Sequence, residues 1–430
     1  MNMQRVHARV PSSASPVDTR WRLTRLLTAP HRLGFTAGAL LLAISAIWWA
    51  LVLATRAAGI VLPWAVPPPV AHGVLMALGF MPLFITGFLF TAGPRWLGLP
   101  EVDATSLRMS VQMMVCGWAL ALPGMHAGAT LAGIGVAMAA LGWSALVLRF
   151  VGLVRASRAP EKLHALLVAG AAAVGAAALW LAAAALITNH ASAVRAATQL
   201  ALWGFLAPVF ATVSHRMLPF FTASALPQHD AWRPNLLLGA MLAALAAELP
   251  FAMAELWWWP LTPAARWVQA AIESAAAGLL LWLALRWGLL QGLKIRLLAM
   301  LHVGFLWLGI TFALSAVSHS LMAALGPGHS LDLAPQHALT MGYLASTLLA
   351  MATRVAAGHS GRALVADNIT WALFWTLQAA VLLRLAAALW PPAGTPLLLA
   401  AVSAWVVAMG GWSLRYGRWL GRPRADGRPG

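Results

Sequence analysis

The chain of 430 residues holds 13 histidines against only 11 Asp and Glu and a single cysteine. Imidazole binds haem iron, copper and zinc. Cys116 alone can form neither an internal disulfide nor a CxxC pair. A metal site in this chain therefore has to be built on histidine. His72, His319 and His337 fall towards one end of the apolar runs that hold them, and His164, His215, His302 and His359 towards the other. His337 and His359 bracket one run and, at 1.5 Å per helical residue, stand about 33 Å apart. They cannot share an ion, so if both are ligands there are two sites near opposite faces. The competing assignment for each is an interhelical hydrogen bond. His126, His190, His229 and His329 fall in loops and read as solvated, and His7 and His31 read as part of a basic tail.

Carboxylates are scarce. Glu248 and Glu273 fall well inside two neighbouring apolar runs, where an acid is costly and marks a proton relay or cation site unless it is protonated and bonded to Gln269, Ser274 or a backbone carbonyl. Arg216, Arg354 and Arg362 cluster in sequence with His215 and His359. They form an anion-friendly group, because guanidinium forks match carboxylates.

These residues need elements to position them, and the composition settles which kind. Hydrophobic residues make up 61% and charged residues 9% of the chain, far below the quarter or so of charged residues usual in soluble domains. Disorder requires the opposite composition. A transmembrane barrel needs alternating segments of about ten residues, whereas the apolar runs here are long and unbroken. The remaining class is an all-α polytopic membrane bundle.

Pro, Gly and charge clusters cut the chain into twelve expected spans, each of roughly the 20 residues that cross a bilayer. The first runs over Leu33–Thr55, the third over Leu107–Leu122 with a turn at 122–126, the sixth over Ala196–His215, the tenth over His337–Ala357 and the last over Pro396–Tyr416. Residues 1–32 and 417–430 read as basic cytoplasmic tails flanking a membrane domain over 33–416. Apart from Arg56, Arg195, Arg266 and Arg384, all the Lys and Arg fall on one side of this alternation. By the positive-inside rule both termini are then cytoplasmic. The same placement accounts for the net charge of +17 without nucleic acid as a partner. The lipid bilayer is the first partner, with Trp48, Trp49, Trp64, Trp257, Trp258, Trp259 and Trp390 reading as its interfacial aromatic belt.

Three stretches carry more than apolarity. They are the run from His72 to Gly87-Phe88-Leu89-Phe90-Thr91-Ala92-Gly93-Pro94-Arg95-Trp96, the run Arg216-Met217-Leu218-Pro219-Phe220-Phe221-Thr222, and His337-Ala338-Leu339-Thr340 continuing to Ala352-Thr353-Arg354-Val355-Ala356-Ala357-Gly358-His359-Ser360-Gly361-Arg362. Together with Leu301-His302-Val303-Gly304-Phe305 they resemble the NnrS family over essentially the whole chain. The resemblance implies a bacterial inner-membrane protein of the nitric-oxide or nitrosative-stress response and of denitrification, carrying haem b and copper. It places His72, His302, His337 and His359 on histidines of the family's motifs, as ligands; position in the runs adds His215 beside His302 and His359, with Arg354 or Arg362 suited to haem propionates, and His319 beside His72 and His337 as a metal ligand. Nitric oxide or a nitrosylated species, and an electron-transfer protein, are the implied partners.

One departure matters. Members commonly show H-A-H-E-M at the start of the second span. Here Val74 and Leu75 stand where the second histidine and the glutamate would be, so one outer-face ligand is lost unless His319 replaces it. The spans and intramembrane histidines also resemble the catalytic subunit of haem–copper oxidases and nitric-oxide reductases, but no adjacent His-His pair is present, and no H-P-E-V or H-x-H in the matching spans. Whether the chain is an enzyme stays open. The rival reading is a metal-ion or small-molecule transporter using the histidines with Glu248 and Glu273.

Overall fold

Long apolar segments with no water to satisfy their backbones must close their hydrogen bonds within themselves. The computed structural model, which describes residues 20–427, is accordingly helical, with no strand among the described residues. Ten helices are long and apolar enough to cross a membrane: α1 (Pro30–Ala57), α2 (Pro68–Trp96), α4 (Ala129–Ala156), α5 (Leu163–Ile187), α6 (Ala191–Ala225), α7 (Asn235–Trp257), α8 (Pro263–Arg286), α9 (Arg296–Leu325), α11 (Asn368–Leu389) and the segment Pro391–Leu420, whose α-helical part is α12 (Gly394–Leu420). The chain is a multi-pass membrane protein. Between them lie α3 (Arg108–Ala127) and α10, a continuous helix over 334–359. The closest pairs are α3 with α4, α4 with α5, α8 with α9, α11 with α12, and α1 with both α2 and α12. The segments of α2, α6 and α9 are mostly covered by protein, whereas α7 and α11 mostly face outwards.

Several boundaries differ from the sequence expectation, and each difference moves a functional side chain. Helix α1 begins at Pro30, a residue suited to the first helical position because it has no N–H to leave unpaired. His31 is therefore 3% exposed within the bundle and does not belong to a tail. Helix α3 continues through Pro123, and the chain reverses only at Gly128. His126 is accordingly fixed rather than solvated: Trp48 Nε1 donates to its Nε2 at 3.0 Å and its Nδ1 donates to the Pro63 carbonyl at 2.9 Å. Helix α6 runs on through Pro219 to Ala225, which keeps Phe221 and Thr222 helical. Helix α12 reaches Leu420, and the segment after it returns to the end of α10, where Ala425 N–H donates to the Ser360 carbonyl at 2.8 Å. The expected tail over residues 1–32 otherwise lies mostly outside the described residues. His190 and His329 are exposed, as expected.

Three helices are irregular, and all three irregularities adjoin the same space. Helix α2 breaks at Gly79, whose ψ of −88° is not helical. Pro82, three residues on, has no N–H to carry the ladder across the break. Helix α6 widens to π geometry over Leu200–Leu206, and α10 does so over Ala338–Ala345. Such widened turns frequently mark functional sites.

Candidate functional site

Between these irregular segments lies a cavity of about 740 Å³, within the range of cofactor and small-molecule sites. Its wall includes His72, Met76 and Met81 from α2, Thr198, Gln199 and Leu202 from α6, and His337, Thr340 and Met341 from α10. Arg56, Arg195 and Arg384 line it as well. His72 and His337, far apart in the chain, are thus brought to one space. The His337 Nδ1 donates to the Leu333 carbonyl one turn back at 2.9 Å. That bond fixes the tautomer and leaves the lone pair on Nε2, the arrangement usual for a metal-bound histidine. His72 lies flat on Trp49, with ring centroids 3.9 Å apart, and its Nδ1 is buried without a hydrogen-bond partner. An unpaired buried nitrogen is uncommon in a folded protein. Trp49 is thus committed to this wall, beyond any role in the aromatic belt.

The histidines of the opposite end are not gathered in the same way. Thr222 Oγ1 donates to the Leu218 carbonyl and accepts from His302 Nε2 at 3.0 Å. The lone pair of His302 is then on Nδ1, which is buried with no partner. His215 has both nitrogens engaged: Nε2 with the Pro234 carbonyl at 3.2 Å, and Nδ1 with Nε2 of His164 at 3.0 Å. His359 packs against His31, with centroids 4.5 Å apart. Arg354 stacks on Phe221 at 3.8 Å and Arg362 on Trp419 at 4.4 Å. No group of three or more metal-ligating side chains occurs among the described residues.

A family model for the NnrS protein matches residues 25–424. The chain belongs to the NnrS family. No curated protein matches it. Three of the four motifs that carry the NnrS resemblance lie on the irregular helices: His337–Thr340 leads into the π-helical part of α10, His72 lies near the start of α2, and the Arg216–Thr222 stretch falls near the end of α6, whereas Leu301–Phe305 lies on α9.

The third candidate of the His72 and His337 set is placed elsewhere. His319, on α9, holds both carboxylate oxygens of Glu273 at 2.8 Å from its Nδ1 and is not part of the cavity wall. It does not stand in for the missing second histidine of the NnrS stretch. Two residues of these clusters were not singled out as candidates in the sequence, His31 and Glu161. For His31 a signal existed, since Pro30 is a helix-start residue. Glu161 gave no sign, because its partner Arg216 lies far along the chain, and His164 was placed at the right end without its pairing to His215.

Glu161 closes the loop-side end of the His215 pair. It accepts from Arg216 Nη1 at 2.7 Å and lies 3.3 Å from His164 Nδ1. Partial burial pushes its carboxyl up, but the hydrogen bonds from Arg216 and His164 outweigh that and hold it down at about 2. A carboxylate held low stabilises the fold above its unfolded value and loses that contribution as pH falls from about 4.5 to about 2. The thermal midpoint of the detergent-solubilised protein should therefore drop between pH 5 and 3. The drop should be smaller in Glu161→Gln, measured by intrinsic tryptophan fluorescence, and an identical drop in both would show that Glu161 carries none of it.

Proposed function

We propose that this chain is a haem-binding inner-membrane protein of the nitric-oxide response, with copper as the second metal the family resemblance implies, and with twelve spans and both termini in the cytoplasm. The carrying observation is the convergence of His72 and His337 on one cavity, one with an unpaired buried nitrogen and the other with its tautomer set for ligation. The residues fit the group: two imidazoles, the Met76, Met81 and Met341 thioethers as soft donors, and three guanidiniums that match propionate carboxylates. His72 and His337 would hold the metal and Arg56, Arg195 and Arg384 the propionates. A bound haem would supply one-electron redox chemistry, and a position for a diatomic ligand such as nitric oxide wherever only one of the two imidazoles is engaged. Trp49 orients the His72 ring, and the Leu333 carbonyl orients that of His337. Leu202, Leu206, Phe80 and Leu344 supply an apolar wall against which a macrocycle would pack.

This reading moves the cofactor from the His302 and His359 end, which the sequence alone favoured, to the His72 and His337 end. His302 keeps a free Nδ1 and remains a ligand candidate of its own. Twelve spans follow if α3 and α10 also cross. Each is long enough but is diluted by polar residues: Arg108 and Gln112 in the first, Gln336, His337 and Arg354 in the second.

The test is an optical spectrum of the purified protein, oxidised and dithionite-reduced, with metal analysis of the same sample. A Soret band that shifts on reduction, in protein made with ample haem supply, supports the reading. Metal without haem would move it to a metal-only site, and neither would overturn it.

A further inference from the structure

Away from the cavity, helices α7, α8 and α9 bury a second polar cluster that the proposed cofactor site does not use. Glu255, near the end of α7, is about one-third exposed. His319 is 15% exposed and Glu273 fully buried. Glu248 is 5% exposed. The His319 ring stands between two carboxylates: Nδ1 donates to Glu273 at 2.8 Å, and Nε2 lies 3.7 Å from Glu255 Oε1. Glu248, the second buried acid, lies on α7 as a near neighbour of Glu273.

The remaining charged and polar groups of the cluster are Arg266 and Gln269, both on α8. Arg266 is 2% exposed, donates from Nη1 to Glu255 and to Gln269 Oε1, and leaves Nη2 buried with no partner. That unpaired donor, at the junction of Glu255 and the buried acids, is suited to a water molecule. Leu256, beside Glu255, lines the large cavity, so the exposed end of the cluster opens at the same face of the bundle.

We propose that Glu255, His319, Glu273 and Glu248 form a proton-uptake path running inwards from that face, with the Glu273–Glu248 pair as its proton store. The ordering follows exposure, from Glu255 at the surface to the two acids within. Each transfer is balanced. A proton passed from the Glu255 carboxyl to Nε2 makes His319 an imidazolium and leaves Glu255 ionised. The imidazolium releases its Nδ1 proton to Glu273, returning a neutral ring. The extra proton then resides in the Glu273–Glu248 pair, and the ring re-forms its first tautomer by exchange with water. A histidine bonded to one carboxylate and facing another can relay in this way once a water bridges the 3.7 Å between Nε2 and Glu255, whereas either acid alone cannot reach the surface. Arg266 is a positioning residue that holds Glu255 towards the ring.

The test is infrared spectroscopy of the protein in liposomes, following the C=O stretch of the protonated carboxyl after transfer to D₂O. The expected result is a buried-carboxyl band that is absent in Glu248→Gln, and that shifts in D₂O at least tenfold more slowly in His319→Gly. Added imidazole should restore the rate. Glu255→Gln, a conservative change at a partly exposed position, should also slow it and serves if the His319 variant does not fold. A band absent from the wild type, or an exchange rate equal in wild type, His319→Gly and Glu255→Gln, would overturn the proposal.

Discussion

Under the haem proposal, replacing His337 by Ala should abolish the haem spectrum. The expected ratio of Soret to protein absorbance in His337→Ala falls to less than about a tenth of the wild-type value. Losing an outer partner of a ligating histidine already costs 10- to 100-fold in metal affinity, and here the ligand itself goes. The fold should survive, because the ring lies at the cavity wall, and its side-chain hydrogen bond is to the carbonyl of Leu333, which caps its own helix. His72→Ala should have the same effect, with an added loss of packing against Trp49. Trp49→Leu leaves the ligand in place but removes the surface that orients it, so a shifted band with weaker binding is expected. His359→Ala provides the contrast. If it and His302→Ala abolish the band while His337→Ala keeps it, the cofactor sits at the other end of the bundle and the assignment to the His72 and His337 cavity is wrong.

That contrast also measures what a single sequence can convey. Membrane helices were legible because they are long and uniformly apolar, and the NnrS motifs because they are local. The grouping of histidines into sites was only half legible. His72 and His337 were matched by depth, and the fold does bring them to one cavity. His319 was matched by the same argument and is bound to Glu273, because depth along a helix does not say which way the side chain faces. The π-helical turns in α6 and α10, which widen the cavity, rotate the side chains that follow them, and no residue pattern announced them. His31 was lost to a boundary three residues out. His164 and His215 pair with each other across α5 and α6, a contact set by packing rather than spacing. Glu248 and Glu273 were placed well inside two neighbouring runs, and both are buried, on α7 and α8; the contact of Glu273 with His319 depended on a third helix.

Packing of α1 against α2 should be a sensitive point in the fold. Between lipid-facing helices there is little hydrophobic drive, so close backbone approach and van der Waals contact hold them together. At this crossing a Cβ on Gly34 would lie 2.5 Å from the Gly87 nitrogen and 2.8 Å from the Leu83 carbonyl oxygen, and one on Gly87 would lie 2.6 Å from the Phe35 ring. The Gly34 contacts are backbone and cannot rotate away, so the helices themselves would have to separate. Overpacking a well-packed core costs about 1–3 kcal/mol, and more where no side chain can yield. Gly34→Leu is therefore expected to abolish monodisperse protein on size exclusion in detergent, and Gly34→Ala to lower the thermal midpoint. Gly170→Leu, at an exposed position with nothing within reach of a Cβ, should do neither. The effect should extend to the imidazoles at that end of the bundle. The Gly87 Cβ position is 3.3 Å from the His31 backbone, and His31, one turn before Gly34, lies against His359. Gly34→Ala should accordingly change the His31 and His359 imidazole resonances while leaving those of His72 and His337 in place. Unchanged resonances at both ends, with an unchanged midpoint, would mean that the crossing is looser than these distances require.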